Sequence, residues 1–252
     1  MGGSGVFLER LTWDEAAPLL AGDPMVVLPV GAAAKEHGPH LPLGTDRLLA
    51  DYLAARLAER VDAVILPTLT YGYYPAFTEY PGSTTLRAAT FGRVVRDVLL
   101  SVHRHGPRRF LILNTGISTT PVLEVVARDL NRLRGLLVGV TRIEDLGRPA
   151  LDGLLAQTAG SHADEHETSL MLAIAPDAVR ADRLVRETGD HPRVPGLVAP
   201  EAFHRGPGRG HSKTGVYGDA TLATRDKGER ILAALLPALV HAAEYVRTAP
   251  LA

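Results

Sequence analysis

The chain contains no cysteine. Disulfides and thiolate metal sites are therefore excluded, and any metal has to be held by histidine, carboxylate or backbone oxygen. An excess of charge of one sign is missing too. The net charge is −1, with no basic stripe for nucleic acid and no polybasic tail for a membrane surface. No apolar run reads as long enough to span a bilayer. The start, Met1 to Gly5, is rich in glycine but lacks the charged start and apolar core of a signal peptide. These absences point to a cytoplasmic protein with flexible first residues 1–5 and no nucleic-acid or membrane partner. Internal repeats and low-complexity tracts are absent as well. The 252 residues, 46% of them apolar, suffice for one large domain over 1–252 with a substantial core.

Strand-like and helix-like patterns alternate along that length. Residues 26–30, 63–66, 109–113 and 136–140 are short apolar runs of strand length. Residues 46–60, 90–105, 121–134, 167–175 and 227–246 carry apolar positions at helical spacing, the last with a candidate bend at Pro237. Repeated strand–helix units predict an α/β fold, with a mainly parallel sheet and helices on both faces. Residues 189–210 are rich in Pro, Gly and Arg. They read as a long irregular excursion, suited to a surface or a subunit contact in a homo-oligomer.

The most informative stretch is Lys35-Glu36-His37-Gly38-Pro39-His40-Leu41-Pro42-Leu43-Gly44-Thr45-Asp46. It follows an apolar strand and precedes a helix, where an open α/β sheet presents its ligand crevice. Neutral imidazole and carboxylate are also the ligand set of a hydrolytic Zn²⁺ or Mn²⁺ site.

Four further clusters are polar or aromatic. The loop from Tyr71 to Ser83, with Tyr73 and Tyr74 at its centre, can wall a small-molecule pocket or pack as a surface or subunit contact. Asn114-Thr115-Gly116-Ile117-Ser118-Thr119 leads from a strand into a helix. Its Ser118 and Thr119 can bind an anion or simply cap the helix. His162-Ala163-Asp164-Glu165-His166-Glu167 packs five ionisable groups before an apolar helix. Either part of it turns into a site or all of it is a charged first turn matched to the helix dipole. Gly218-Asp219 reads as a turn and cap before the last helix.

Together these stretches resemble the creatininase family, the creatinine amidohydrolases, over nearly the whole chain. The resemblance rests on Pro29-Val30-Gly31, His37-Gly38-Pro39-His40-Leu41-Pro42-Leu43 with Thr45-Asp46, Pro81-Gly82-Ser83, His162-Ala163 with Glu167-Thr168-Ser169, and Gly218-Asp219 followed by Ala223-Thr224 and Lys227-Gly228-Glu229, all in the family's order. It implies a three-layer α/β/α sandwich, a metal-dependent hydrolase of C–N bonds in cyclic or linear amides, and a hexamer built from dimers. The family's site holds two divalent ions bridged by an aspartate. By that match Asp46 is the bridging residue, His37 a ligand, Glu167 a metal-binding glutamate, and His162 the proton donor or intermediate stabiliser.

Two departures stand out. The family reads Glu-Gln-His-Gly where this chain has Ala34-Lys35-Glu36-His37-Gly38, with an extra residue before the histidine. Glu36 can then bulge into a ligand position, and it joins His162 as a catalytic candidate. The family's Asn-Gly-His-Gly-Gly-Asn is replaced from Asn114 to Thr119, so a ligating histidine is gone. His37, Asp46 and Glu167 still supply three ligands, enough for one catalytic ion with an open position for water. One ion is favoured over two, zinc first, with manganese, iron or magnesium open. Tyr73, Tyr74, Ser118 and Thr119 are the candidates to contact a small-molecule substrate. Lys35 or the backbone at Ser118 and Thr119 is the candidate to stabilise an oxyanion. Two other readings stay in view: an amide-forming enzyme or lyase using the same site, and a non-catalytic small-molecule-binding protein on the same fold.

Overall fold

A computed structural model describes residues 4–133, 135–147, 153–188 and 212–251. The excursion expected at 189–210 and residues 1–3 lie outside the described residues.

Strands β2 (Met25–Val30) and β4 (Arg109–Asn114) form the centre of a five-stranded parallel sheet. Its order is β1-β3-β2-β4-β5, with β1 at Val6–Phe7, β3 at Val64–Ile65 and β5 at Leu137–Val140. Strands β2 and β4 run in register from Met25 opposite Arg109 to Val30 opposite Asn114. Both are apolar at almost every position because helices cover both faces of the sheet. Successive side chains point to opposite faces. Met25, Val27, Leu111 and Leu113 pack against helices α2 (Thr45–Ala58) and α6 (Arg225–Thr248). Val26, Leu28, Val30, Phe110 and Ile112 pack against α3 (Ala88–His103) and α4 (Thr120–Asn131). The expected three-layer α/β/α sandwich is the observed one.

Helix α1 (Trp13–Ala21) was not legible as a periodic segment, since only Leu20 in it is buried. It starts at a capping box in which Glu15 accepts hydrogen bonds from the Thr12 backbone and hydroxyl. Helix α5 (Glu165–Ile174) packs along α6. The two approach closely at Gly228, where a Cβ would collide with the Ser169 carbonyl. A small antiparallel pair, β6 (Arg186–Glu187) with β7 (Gly218–Asp219), lies apart from the main sheet. The start of the described chain is tied down: Gly5 N donates to Ala58 O at 2.9 Å and Ser4 N to Asp62 Oδ1 at 2.8 Å.

One apolar run is longer than expected from the sequence. By length and composition α6 is long and apolar enough to cross a bilayer. Its Ile231, Leu235 and Leu239 are buried in the core against the sheet. The apolar composition therefore reflects packing under a sheet face. The helix runs through Pro237 without interruption.

From β2 the chain moves to β3 on one side, and β4 then lies on the other side of β2. The strand order thus reverses between β2 and β4, and their carboxyl ends open a crevice there.

Candidate active site

The loop 31–44 leaves β2 at this crevice and returns into α2. Gly31 lets the strand end press on the helix start, since a Cβ there would collide with the Asp46 carbonyl. His37 and Asp46 are brought side by side by that contact. His37 Nδ1 lies 2.9 Å from the Lys35 carbonyl, and its Nε2 lies 2.9 Å from Asp46 Oδ1. A neutral imidazole has one N–H and cannot donate to both oxygens. With Nδ1–H on the carbonyl, the Nε2 lone pair and the carboxylate face one another, an arrangement suited to a shared cation.

Lys35, two residues before His37, reaches the other oxygen of Asp46, with Nζ 2.8 Å from Oδ2. It is 4% exposed, and its ammonium sits 5.0 Å from the Phe77 ring centre and 5.6 Å from that of Tyr74. Burial works against the ammonium, but the charges of Asp46 and Glu167 outweigh it and raise the lysine pKa. Burial likewise works against the Asp46 carboxylate, yet Lys35 and His37 hold its carboxyl below the usual range.

Glu36 turns the other way. It does not bulge toward Asp46. Its carboxylate accepts from Gly38 N and lies 3.1 Å from His162 Nε2, which is also 2.9 Å from the Glu36 carbonyl. His162 therefore donates through Nε2, and its Nδ1 is left 3.7 Å from Glu167 Oε2. Burial opposes the imidazolium, but Glu36 and Glu167 outweigh it and lift the His162 pKa above the ordinary value. Gly215 makes room for this pairing. Its φ is +83°, and a Cβ there would collide with the Glu36 carboxylate. Gly215→Ala is expected to cost about 1–2 kcal/mol from the left-handed backbone alone, and more from displacing Glu36. Urea denaturation checks this; an unchanged midpoint would remove the argument.

Helix α5 supplies the opposite wall. Asp164 caps it, accepting from His166 N at 3.0 Å and Glu167 N at 3.1 Å. Ala163, buried and with φ +48°, is a strained non-glycine residue between His162 and the cap. Its N–H donates to Glu167 Oε2 at 2.6 Å. Burial would raise the Glu167 carboxyl, but His162, His37 and Lys35 lower it on balance. His37, His162 and Glu167 each offer a ligand atom, all within 4.8 Å of one another. Ligands around 2.0–2.2 Å from one ion would draw this group closer together. Imidazole and carboxylate donors without a thiol, with His37 Nε2 facing Asp46 Oδ1 at 2.9 Å, are a chemistry that fits a divalent ion.

A cavity of about 520 Å³ opens over the cluster. Lys35, His162 and Glu167 face it, with Phe77, Ser118, Ile143 and Gln157 around them. Of the four residues expected to contact substrate, only Ser118 lines it among the described residues. The Thr119 hydroxyl donates to Asn114 Oδ1 at 2.7 Å and is buried at the entry to α4. Tyr73 packs on the α3–α4 side of the sheet. Tyr74 is buried beside Phe77 and Tyr80, and burial pushes its hydroxyl pKa up. The aromatic loop thus meets the cavity through Phe77. His40 holds the loop to α5, with Nε2 2.8 Å from Thr168 Oγ1, and burial pushes its pKa down to about 4. Phe77, Ile143 and Gln157 were missed as lining residues. Phe77 belonged to the aromatic loop and was a findable signal; the other two lie in loops without any pattern.

A family model described as creatininase, creatinine amidohydrolase, matches residues 9–243. The chain is 35% identical to a creatinine amidohydrolase of Pseudomonas putida over 90% of this chain and 92% of that one. It is 30% identical to a mycofactocin precursor peptide peptidase of Mycolicibacterium smegmatis, over 84% of this chain and 81% of that protein. Among solved structures, one named creatininase Mn superposes with a TM-score of 0.82 at 29% identity, covering 97% of this chain and 99% of the other. Another, a mutant creatininase of Zn-Zn type, has a TM-score of 0.79 at 28% identity, covering 96% and 98%.

Proposed function

The chain belongs to the creatininase family, and from that premise we propose that it is a metal-dependent amidohydrolase cleaving a C–N bond in a small cyclic or linear amide. The observation that carries this is the grouping of His37, His162 and Glu167, with Asp46 held against His37, beneath a cavity that His162, Glu167 and Lys35 line. A cavity of about 520 Å³ suits a small molecule.

In this reading His37, Asp46 and Glu167 would hold one divalent ion, zinc or manganese by the nature of the donors. Such an ion supplies a nucleophilic water at neutral pH and polarises a carbonyl. The protein's own groups do the rest. Lys35 keeps Asp46 ionised and oriented and brings positive charge to the cavity floor, where an oxyanion develops. His162 has its Nε2–H committed to Glu36, so its Nδ1 is the atom that exchanges a proton with the leaving nitrogen. Glu36 fixes that tautomer by accepting from the far side of the ring. Phe77, 4.5 Å from the His162 ring centre, limits water around it.

Elemental analysis of protein purified without chelator tests the reading. The parent should carry a divalent ion, and Asp46→Asn should lose it together with amide hydrolysis. An Asp46→Asn protein that binds metal as well as the parent would remove Asp46 from the ligand set. A metal-free, fully stable parent that turns over no amide would favour a small-molecule-binding role.

A further inference from the structure

We propose that the Lys35 ammonium is a built-in cation of this centre: it occupies the Oδ2 side of Asp46 and limits the site to a single divalent ion. The inference rests on the metal reading of the site given above and deepens it.

The first ground is geometry. Lys35 Nζ stands 2.8 Å from Asp46 Oδ2, and both side chains are almost wholly buried. Among the described residues no other polar group is set against Oδ2. That oxygen faces the ammonium, while Oδ1 faces His37 Nε2 at 2.9 Å. The carboxylate therefore has one edge against a fixed organic cation and the other toward the histidine that can hold an ion. Aromatic rings of Phe77 and Tyr74 flank the ammonium and keep it there.

The second ground is charge. Three carboxylates converge here, those of Glu36, Asp46 and Glu167. The nearby acids of α5 are served elsewhere: Asp164 caps the helix, and Glu165 pairs with Lys227. Lys35 compensates one of the three negative charges. Glu36 is paired with His162, so the negative charge left at Asp46 and Glu167 beside Lys35 suits one divalent ion and not two. A second divalent ion would leave an excess of positive charge next to an ammonium that is almost wholly buried.

The test is a Mn²⁺ titration of the purified protein, read by elemental analysis after desalting and by electron paramagnetic resonance. The wild-type chain is expected to retain one equivalent and to give a six-line mononuclear spectrum. Lys35→Glu exchanges the cation for a ligand. It is expected to bind a second equivalent at least tenfold more tightly than the parent does, with a broadened, spin-coupled spectrum. If Lys35→Glu does not fold, Lys35→Gln is read by the same titration, and a second equivalent absent from the parent supports the proposal. Two equivalents in the wild type, or a single equivalent in the folded variant, overturns it and leaves the metal reading standing. No Mn²⁺ in the wild type overturns both.

Discussion

Replacing Glu165 by alanine is expected to cost about 3–5 kcal/mol of stability at neutral pH, the usual effect of removing one partner from a buried ion pair. Glu165 is fully enclosed at the first position of α5. Its carboxylate accepts from Ala156 N at 2.9 and 3.0 Å, from Gln157 N at 2.7 Å and from the Lys227 ammonium. Three separate pieces of chain are thereby joined: the loop before the site, the start of α5 and the start of α6. Burial alone would raise the carboxyl, but the Ala156 backbone and Lys227 pull it below the ordinary glutamate range. A depressed carboxyl stabilises the fold in full above its unfolded value, and that contribution is lost as pH falls through the lower folded value. The gap between parent and Glu165→Ala should therefore be widest at pH 6–7 and narrow below about pH 4, where the carboxyl of the unfolded chain is protonated. Urea unfolding across that range checks both size and sign. A cost under about 1 kcal/mol at pH 7 would mean that Lys227 behaves as a solvated surface charge.

That pair also shows where the sequence stops being readable. The run from His162 to Glu167 was visibly unusual, but its residues scatter once helix and loop are built. Asp164 caps, Glu165 turns to Lys227, and Glu167 turns to the site with His162. Each helical residue rotates about 100° from the last, so neighbours in sequence serve different partners. Glu165 and Lys227 are 62 positions apart, and nothing local announces such a contact. Strands β2 and β4 were legible because burial on both faces makes them continuous apolar runs. Two-residue strands such as β1, β6 and β7 carry no period to read. Helix α1 had a signal in Thr12 and Glu15, but its mostly exposed faces gave no apolar stripe to confirm it. At the site, residue type and strand-end position singled out His37, Asp46 and Glu36. They did not show that Lys35 would turn onto Asp46 and Glu36 onto His162, because the direction of adjacent side chains on an irregular loop depends on tertiary contacts. The tyrosines misdirected for a similar reason. Composition marked the loop as aromatic, and packing decided that Phe77 faces the cavity.

The largest effect on turnover is expected from separating His162 and Glu167, which lie five positions apart and within 3.7 Å of each other. With its Nε2 turned to Glu36, His162 presents Nδ1 on the Glu167 side. His162→Ala should keep its metal and lose turnover by about 10²–10⁴-fold, the ordinary contribution of a positioned acid or base. Glu167→Gln should lose metal affinity and turnover together, because a neutral amide is a poor substitute for a carboxylate ligand and would also leave the Ala163 N–H with a weaker acceptor. Metal content and hydrolysis of a panel of small cyclic and linear amides, measured on the same preparations, give the two readouts. The reverse pattern, metal lost in His162→Ala and kept in Glu167→Gln, would exchange the roles. Geometry permits that outcome, since His162 belongs to the group of donors that lie within 4.8 Å of one another. It would make His162 Nδ1 a ligand in place of the Glu167 carboxylate. Unchanged turnover in both variants of an active parent would place the chemistry outside this cluster.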